Sequence, residues 1–371
     1  MNILIAVLIF SLIVFIHELG HFLLAKANGI EVTEFSLGMG PRIFTWVKTE
    51  RGMRFLLFAK TEKLEAEADF AGHTWYSIKC LPFGGSCMML GEEEAVESDN
   101  AFNKKSVYAR MSVIFAGPFF NFVLAFILAL IIIGVAGYDP AKISSIEPGQ
   151  PMEAAGFQEG DLITEINGKN IVLRREVSMY FQFNQLNGSP VEITVDREGQ
   201  EITQTVVPEK VKQEDGTERL MLGFGYSSPR EKVSAWGTIK YAAYEVKYWI
   251  CTTIESLGQL ISGQVSKDDI AGPVGIVKIV GDTVEGSKPM GMSMVLLSIL
   301  NISILLTANL GVMNLLPIPA LDGGRLLFLI IEWIRRKPLN QKFEGVVNFA
   351  GFMLLMLLMV LVMFNDIVKL F

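Results

Sequence analysis

The chain has 371 residues, of which 51% are hydrophobic and only 19% are charged, and its mean hydropathy is +0.40. Soluble domains carry roughly 25% charged residues, so this composition argues against a soluble globular enzyme and for stretches that contact lipid. The net charge of -7 and the sequence pI near 5.3 argue against nucleic acid as a partner. The three cysteines are too few, and odd in number, for a disulfide scaffold.

Four apolar runs are long enough to cross a bilayer, and they predict transmembrane helices at residues 1–25, 111–136, 289–324 and 345–366. About 20 helical residues, at about 1.5 Å rise per residue, cover a hydrocarbon core of roughly 30 Å. The first run lacks the positively charged start and the small-residue cleavage site of a secretory signal. We therefore expect this run to be the first membrane span.

Positive charges beside the predicted spans indicate how the chain is oriented. Residues 26–110, between the first two spans, contain eleven Lys and Arg residues, and residues 325–342, after the third span, contain five. Loops rich in Lys and Arg stay in the cytoplasm, whereas long domains translocate largely regardless of charge. We predict that residues 26–110 are cytoplasmic and that both termini and residues 139–288 are outside.

Residues 139–230 have the pattern of a small α+β domain. Short alternating stretches predict strands at Ala141–Glu147, Asp161–Ile166, Val191–Asp196 and Ile202–Val206. Turns are predicted at Asn167-Gly168 and Glu198-Gly199, and a helix at Val177–Phe183.

Residues 231–288 contain a predicted amphipathic helix and a connecting segment. Apolar residues recur at spacings of three and four from Trp236 to Ile261, and several aromatic side chains accompany them. Two placements fit this helix equally well: on the outer membrane surface, or packed against the outside domain.

His17-Glu18-Leu19-Gly20-His21 matches the H-E-x-x-H pattern inside the first predicted span. Helical spacing puts both imidazoles on one face, where they can bind one zinc ion, with Glu18 beside it as general base. The bare pattern also occurs by chance in many chains. Each ionisable group near the centre of a membrane helix costs roughly 2.5 to 3.5 kcal/mol, so three within five residues favour a metal as their partner.

A catalytic zinc usually has three protein ligands and a water, so a third ligand is needed. The candidate is Asp322, an intramembrane carboxylate that the predicted orientation places at a depth similar to that of the two histidines. Pro317 and Pro319 break helical hydrogen bonding just before it, and a double glycine follows it. The alternative is a helix-terminating Asp-Gly turn at the membrane surface. His73, Cys80 and Cys87 show no ligand spacing for a second zinc site.

The chain resembles the site-2 protease family of intramembrane zinc metalloproteases, in particular the bacterial regulator of sigma-E protease group. The resemblance covers nearly the whole chain. Its motifs are H-E-x-G-H, the loop Phe35–Pro41, Leu81–Gly85 followed by Met89–Glu92, Ala116-Gly117-Pro118 with Asn121, Gly272–Gly275, and N-x-x-P-x-P-x-L-D-G-G from Asn314 to Gly324. Residues 157–168 resemble the core of a circularly permuted PDZ domain, but only one such domain is evident, whereas many members of the group have two.

The resemblance implies a polytopic α-helical membrane protein with four transmembrane helices, a cytoplasmic-side membrane-associated β hairpin region and one extracytoplasmic α+β PDZ-like domain. It implies a zinc endoprotease of the bacterial cytoplasmic membrane that cleaves single-span membrane proteins. The substrates expected are anti-sigma factors already trimmed outside, or remnant signal peptides. The partners are therefore a single-span protein and the lipid bilayer, with no nucleic acid.

Carried over by motif, His17, His21 and Asp322 would bind Zn2+, Glu18 would activate its water, and Asn314 would contact the substrate backbone. An interhelical hydrogen bond is the alternative for Asn314. Gly38 and Gly40 would belong to a re-entrant β hairpin whose edge pairs with extended substrate, with a plain glycine turn as the alternative.

The strand Ala141–Glu147 would be the peptide-binding edge of the PDZ-like domain, unless that domain serves only as steric cover. The alternatives for the whole chain are a non-catalytic scaffold and a metal-ion transporter. The intact Glu18 argues against a non-catalytic scaffold, and the lack of inverted repeats argues against a metal-ion transporter.

Overall fold

The computed structural model describes residues 2–92, 94–212, 217–227, 229–264 and 271–369. The predicted ranges 1–25, 26–110, 139–230 and 231–288 each include some residues outside this described part. The chain divides into two compact units, residues 1–128 with 258–371 and residues 129–257.

The secondary structure alternates long apolar helices with short mixed segments. The helices are α1 Asn2–Ala27, α2 Thr61–Ala66, α3 Val107–Ala136, α4 Pro151–Ala154, α5 Arg174–Phe183, α6 Ala235–Ile261, α7 Pro273–Ser287, α8 Met292–Asn314, α9 Asp322–Arg335 and α10 Gln341–Val368. The strands are β1 Val32–Thr49, β2 Gly52–Leu57, β3 Trp75–Met89, β4 Ser145–Ile146, β5 Leu162–Ile166, β6 Lys169–Asn170, β7 Val191–Arg197, β8 Gln200–Val206, β9 Glu209–Lys212, β10 Glu218–Met221 and β11 Phe224–Gly225.

In the described part of the chain, four helices are long and apolar enough to cross a membrane: α1, α3, α8 and α10. The sequence-based prediction of four spans is confirmed. α3 begins at Val107, four residues before the predicted range, and α10 begins at Gln341, also four residues before its range.

The third predicted span, residues 289–324, is wrong as a continuous element. α8 ends at Asn314, an irregular loop follows, and a separate helix α9 begins at Asp322. Pro317 and Pro319 lie in that loop, where proline supplies no backbone N–H for a continuing helix. The break makes Asp322 the first residue of a helix.

The first unit also contains an antiparallel sheet in the order β2-β1-β3. β1 and β3 are long and bent, so that Ser36 pairs with both Ser77 and Ser86. Burial alone would raise the pKa of Glu34 on β1, but two hydrogen bonds from Arg42, at 2.7 and 2.8 Å, hold that pKa below its usual value. The ion pair between Glu34 and Arg42 therefore links the N-terminal and C-terminal halves of the bent strand β1.

The second unit has a four-stranded sheet in the order β6-β5-β7-β8, with α5 and the pair β4-β11 completing its core. The predicted strands at 161–166 and 191–196 are confirmed within one residue, the strand predicted at 202–206 begins two residues earlier, at Gln200, and the predicted helix is α5. Burial would raise the pKa of Asp161, but Arg197, at 2.7 Å from both carboxylate oxygens, lowers it.

The strand predicted as the peptide-binding edge, Ala141–Glu147, is paired with other residues of this chain on both sides. On one side, Ile143 donates to the Asp161 carbonyl at 2.9 Å. On the other side, Ser144 and Glu147 donate to the carbonyls of Gly225 and Gly223 at 2.8 and 3.0 Å. The chain's own residues 223–225 therefore pair with this strand, a long-range contact that the local pattern does not reveal.

Within the second unit, α6 packs against the α+β domain, which was one of its two expected placements. Arg175 of α5 forms an ion pair at 3.0 Å with Glu245 of α6, whose side chain is buried. Tyr138 and Tyr241 stack with their ring centroids 3.8 Å apart. The sequence prediction missed α7, because residues 231–288 were assigned one helix and a connection.

Candidate metal centre

The H-E-x-x-H motif lies in the C-terminal half of α1. His17 and His21 are four residues apart, so the helix presents them on one face, and both side chains are buried. Their ring centroids are 4.8 Å apart and their planes are nearly perpendicular. The Nε2 atoms of the two rings are 3.2 Å apart.

Asp322 completes a triangle of ligand atoms with these histidines. Its Oδ2 atom lies 3.1 Å from His17 Nε2 and 3.5 Å from His21 Nε2. Ligands bound tetrahedrally to zinc at about 2.0 to 2.1 Å are about 3.3 to 3.4 Å apart, so the three atoms have the spacing that one zinc ion requires. In the described part of the chain, this is the group of His, Cys, Asp and Glu residues that could hold a metal ion.

Each imidazole is oriented through its other nitrogen. His21 Nδ1 lies 2.9 Å from the Val113 carbonyl oxygen of α3, which can only accept, so Nδ1 carries the proton. His21 Nε2 is then left with a lone pair for a metal, the arrangement common to metal-binding histidines.

His17 Nδ1 lies 3.1 Å from the side-chain amide of Asn121, which is fully buried on α3. The assigned amide orientation directs Nδ2 at the ring and leaves Asn121 Oδ1 buried without a hydrogen-bond partner. Rotating the amide by half a turn satisfies that oxygen, because it then accepts the proton on His17 Nδ1. In that orientation His17 Nε2 also has a free lone pair for zinc.

Two glycines allow α1 and α3 to come this close. A Cβ atom at Gly117 would lie 2.3 Å from His21 Nε2, and one at Gly20 would lie 2.4 Å from the Ala116 carbonyl oxygen. Both separations are far below van der Waals contact. The absence of a side chain at Gly117 therefore leaves the space in which the two histidine rings meet.

Glu18 faces the sheet of the first unit. A Cβ atom at Gly85 of β3 would lie 3.0 Å from Glu18 Cγ. Residues 85–91 of β3 and the turn after it line a cavity of about 620 Å³ together with His17, Glu18, His21 and Asp322. This one cavity is therefore lined by the Glu18 carboxylate, by the three potential metal ligands and by the end of β3.

The other predicted site residues lie outside that cavity lining. Asn314 is the last residue of α8, eight residues before Asp322. Gly38 and Gly40 form the bend of β1 with φ of +87° and +86°, and a Cβ at Gly38 would lie 2.4 Å from the Leu81 carbonyl oxygen. Their roles toward a substrate stay predictions. His73 lines a different cavity and is not part of the metal-ligand group.

Sequence reasoning missed the supporting residues of the centre. Asn121 and Gly117 were noted only as parts of a family motif, and Val113 was not noted. Their signal is weak, because each acts through a contact with a helix about 90 to 100 residues away in sequence. A small residue and an amide in an otherwise apolar span were the available indications.

Comparisons with known proteins agree with this geometry. The model of Peptidase family M50 matches residues 5–60 and 55–358. Zinc metalloprotease RasP of Bacillus licheniformis is 34% identical over 436 residues, covering 100% of each chain. RasP of Geobacillus kaustophilus is 31% identical over 446 residues, covering 98% of this chain and 97% of the relative. Regulator of sigma-W protease RasP of Bacillus subtilis is 30% identical over 429 residues, covering 98% of each.

The chain belongs to peptidase family M50, the site-2 protease family, as its motifs predicted. It is a multi-pass membrane zinc metalloprotease of the RasP type, and Zn2+ is the cofactor expected in such an enzyme. The donor set and spacing of His17, His21 and Asp322 fit that ion.

The space at Gly117 gives the first prediction. Gly117→Ala should lower zinc affinity about 10- to 100-fold, the range typical of losing the support of a metal ligand, because the new methyl group displaces the His21 ring. Zinc affinity is measured by competition with a chelator on the purified full-length protein. Gly134→Ala is the matched control on the same helix, since a Cβ there meets nothing within 4 Å. Equal affinities for the two variants would contradict the packing argument.

The Asn121 amide gives the second prediction. Asn121→Ala should lower zinc affinity about 10- to 100-fold, because the proton on His17 Nδ1 loses its acceptor. Asn121→Asp keeps an acceptor oxygen and should bind zinc at least as tightly as the native protein. The same chelator competition checks both variants. If the Asp variant is as weak as the Ala variant, Asn121 does not act as an acceptor for His17.

Proposed function

We propose that this chain is a zinc-dependent endoprotease that cleaves the transmembrane segments of single-span membrane proteins in regulated intramembrane proteolysis. The substrates would be anti-sigma factors or remnant signal peptides. The observation that carries the proposal is the triangle of His17, His21 and Asp322 beside Glu18. The two histidines and Glu18 lie on α1, a helix long and apolar enough to span a membrane. The name of the Bacillus subtilis relative, regulator of sigma-W protease, supports a substrate in a sigma-factor pathway.

In this mechanism His17, His21 and Asp322 would hold the zinc ion. Bound there, zinc would supply Lewis acidity, which lowers the pKa of a water toward neutrality and polarises a carbonyl. Glu18 accepts the proton of the attacking water at its carboxylate and returns it to the nitrogen of the leaving amine. The Glu18 side chain lies against Gly85 of β3, in the cavity that the three ligand residues also line.

The substrate segment must unwind before a peptide bond can be attacked, and its backbone then needs hydrogen-bond partners. We infer that it binds as an added strand along the β sheet region of residues 26–110. The part of this sheet nearest the reacting groups is residues 85–89, which line the metal cavity. Asn314 would contact the substrate backbone through its amide, and Gly38 and Gly40 would shape the bend of the sheet.

We propose an orientation in the bacterial cytoplasmic membrane with both termini and the α+β domain of residues 139–230 outside. The Lys and Arg residues of 26–110 and 325–342 support it. The domain itself is PDZ-like in its sequence, with a helix packed against a small antiparallel sheet. Because its strand at 141–147 is paired on both sides, steric cover fits this domain better than capture of a peptide on that strand.

The role of Glu18 gives the third prediction. Glu18→Gln should retain zinc but abolish cleavage of a tagged single-span substrate, because the metal ligands stay while the general base is lost. Metal content and cleavage are measured on the same preparation in detergent. Undiminished turnover at full zinc content would remove Glu18 from the mechanism.

The third ligand gives the fourth prediction. Asp322→Ala should lower both zinc content and cleavage, since two imidazoles alone leave the ion underligated. His73→Ala is the matched control, and it should change neither quantity, because His73 is not part of the ligand group. Metal loss in the His73 variant with metal retained in the Asp322 variant would show that the ligand assignment is wrong.

The domain of residues 139–230 gives the fifth prediction. Tyr138 and Glu231 pair through two backbone hydrogen bonds of 3.0 and 2.9 Å, so a short glycine linker can join them when the domain is deleted. Since the metal centre lies entirely in the other unit, cleavage of an already trimmed substrate should persist, and cleavage of an untrimmed one should rise. Loss of trimmed-substrate cleavage in a deletion that still binds zinc would show that the domain recruits substrate.

A further inference from the structure

The loop that precedes Asp322 contacts the last membrane helix, α10. Asn348 and Gly351 lie one turn apart on α10 and both face this loop. Asn348 Oδ1 accepts a hydrogen bond of 3.2 Å from the backbone N–H of Ala320. A Cβ atom at Gly351 would lie 2.5 Å from Pro319 Cβ and 2.6 Å from its carbonyl oxygen. α10 therefore touches the loop at two consecutive residues.

Ala320 has an unusual backbone conformation. Its φ is +75°, in the left-handed region that residues with a Cβ atom rarely adopt. Left-handed backbone at a residue other than glycine persists when the surroundings hold it, and such residues cluster at functional sites. The hydrogen bond from Ala320 to Asn348 is a contact that can hold this conformation.

The path from Ala320 to the metal ligand is short and stiff. Leu321 N–H donates to the Ile318 carbonyl at 3.2 Å, and Asp322 then begins α9. Cβ atoms at Gly323 and Gly324 would lie 2.2 and 2.4 Å from carbonyl oxygens of the same loop. The loop is thus packed tightly against the first turn of α9, and a change of φ at Ala320 would move the Asp322 carboxylate.

We propose that Asn348 is a positioning residue for the metal centre: its side-chain oxygen fixes the left-handed backbone of Ala320 and thereby places Asp322 Oδ2 beside the two histidines. This role rests on the proposed role of Asp322 as a zinc ligand. The fourth membrane helix, which supplies no ligand, then contributes to zinc affinity through one hydrogen bond.

The test is a double-mutant experiment that measures zinc affinity rather than proteolysis. Asn348→Ala should weaken zinc binding about tenfold, the lower end of the effect of supporting hydrogen bonds on metal ligands. Ala320→Gly alone should leave the affinity near the native value, because glycine adopts positive φ without strain. In the double variant, Ala320→Gly should restore most of the affinity that Asn348→Ala loses.

Two further variants separate positioning from general helix packing. Asn348→Asp keeps an acceptor oxygen and should bind zinc like the native protein, and Phe349→Ala, at an exposed neighbouring residue of α10, should do the same. If Asn348→Ala does not accumulate in the membrane, Asn348→Leu takes its place, since leucine fills a similar volume without an acceptor.

Native zinc affinity in the Asn348→Ala variant would overturn the proposal, and so would a loss that Ala320→Gly does not restore. Asp322→Ala is measured in parallel. If Asp322→Ala keeps its zinc, the ligand assignment fails; if it loses zinc while Asn348→Ala does not, only the positioning role of Asn348 fails.

Discussion

The structure depends on the burial of ionisable groups within apolar helices. Two imidazoles and a carboxylate meet within 3.5 Å at the junction of α1 and α9, where each would be costly alone. A metal ion offsets the cost of burying these groups, because each group donates one lone pair to it. The helices are therefore arranged so that three ligand atoms converge, and the stability of this region is coupled to metal binding.

Convergence requires helices to approach more closely than apolar side chains allow. Gly20 and Gly117 bring α1 and α3 together, and the double glycine after Asp322 lets the loop pack on the start of α9. The buried hydrogen-bond partners of the imidazoles lie on α3, and Asn348 of α10 accepts an exposed hydrogen bond from the loop before Asp322. α1 and α9 thus supply the ligands, and α3 and α10 supply the contacts that support them.

Local sequence patterns predicted the features that depend on residues close together in the sequence. The H-E-x-x-H residues are one helical turn apart, so their common face followed from the sequence, and Pro317 and Pro319 marked the break before Asp322. The sequence did not reveal contacts between distant segments. The local pattern of the strand at 141–147 did not show its pairing with residues 223–225, about 80 residues away, and Asn348 carried no local sign of its contact.

We propose that one zinc ion is held by two imidazoles and one carboxylate. X-ray absorption at the zinc edge of the purified full-length protein tests it most directly. We expect nitrogen and oxygen neighbours alone, at about 2.0 to 2.2 Å, with the scattering signature of two imidazoles. A sulfur neighbour at about 2.3 Å, which Cys87 in the cavity lining could supply, or a third imidazole would contradict the claim.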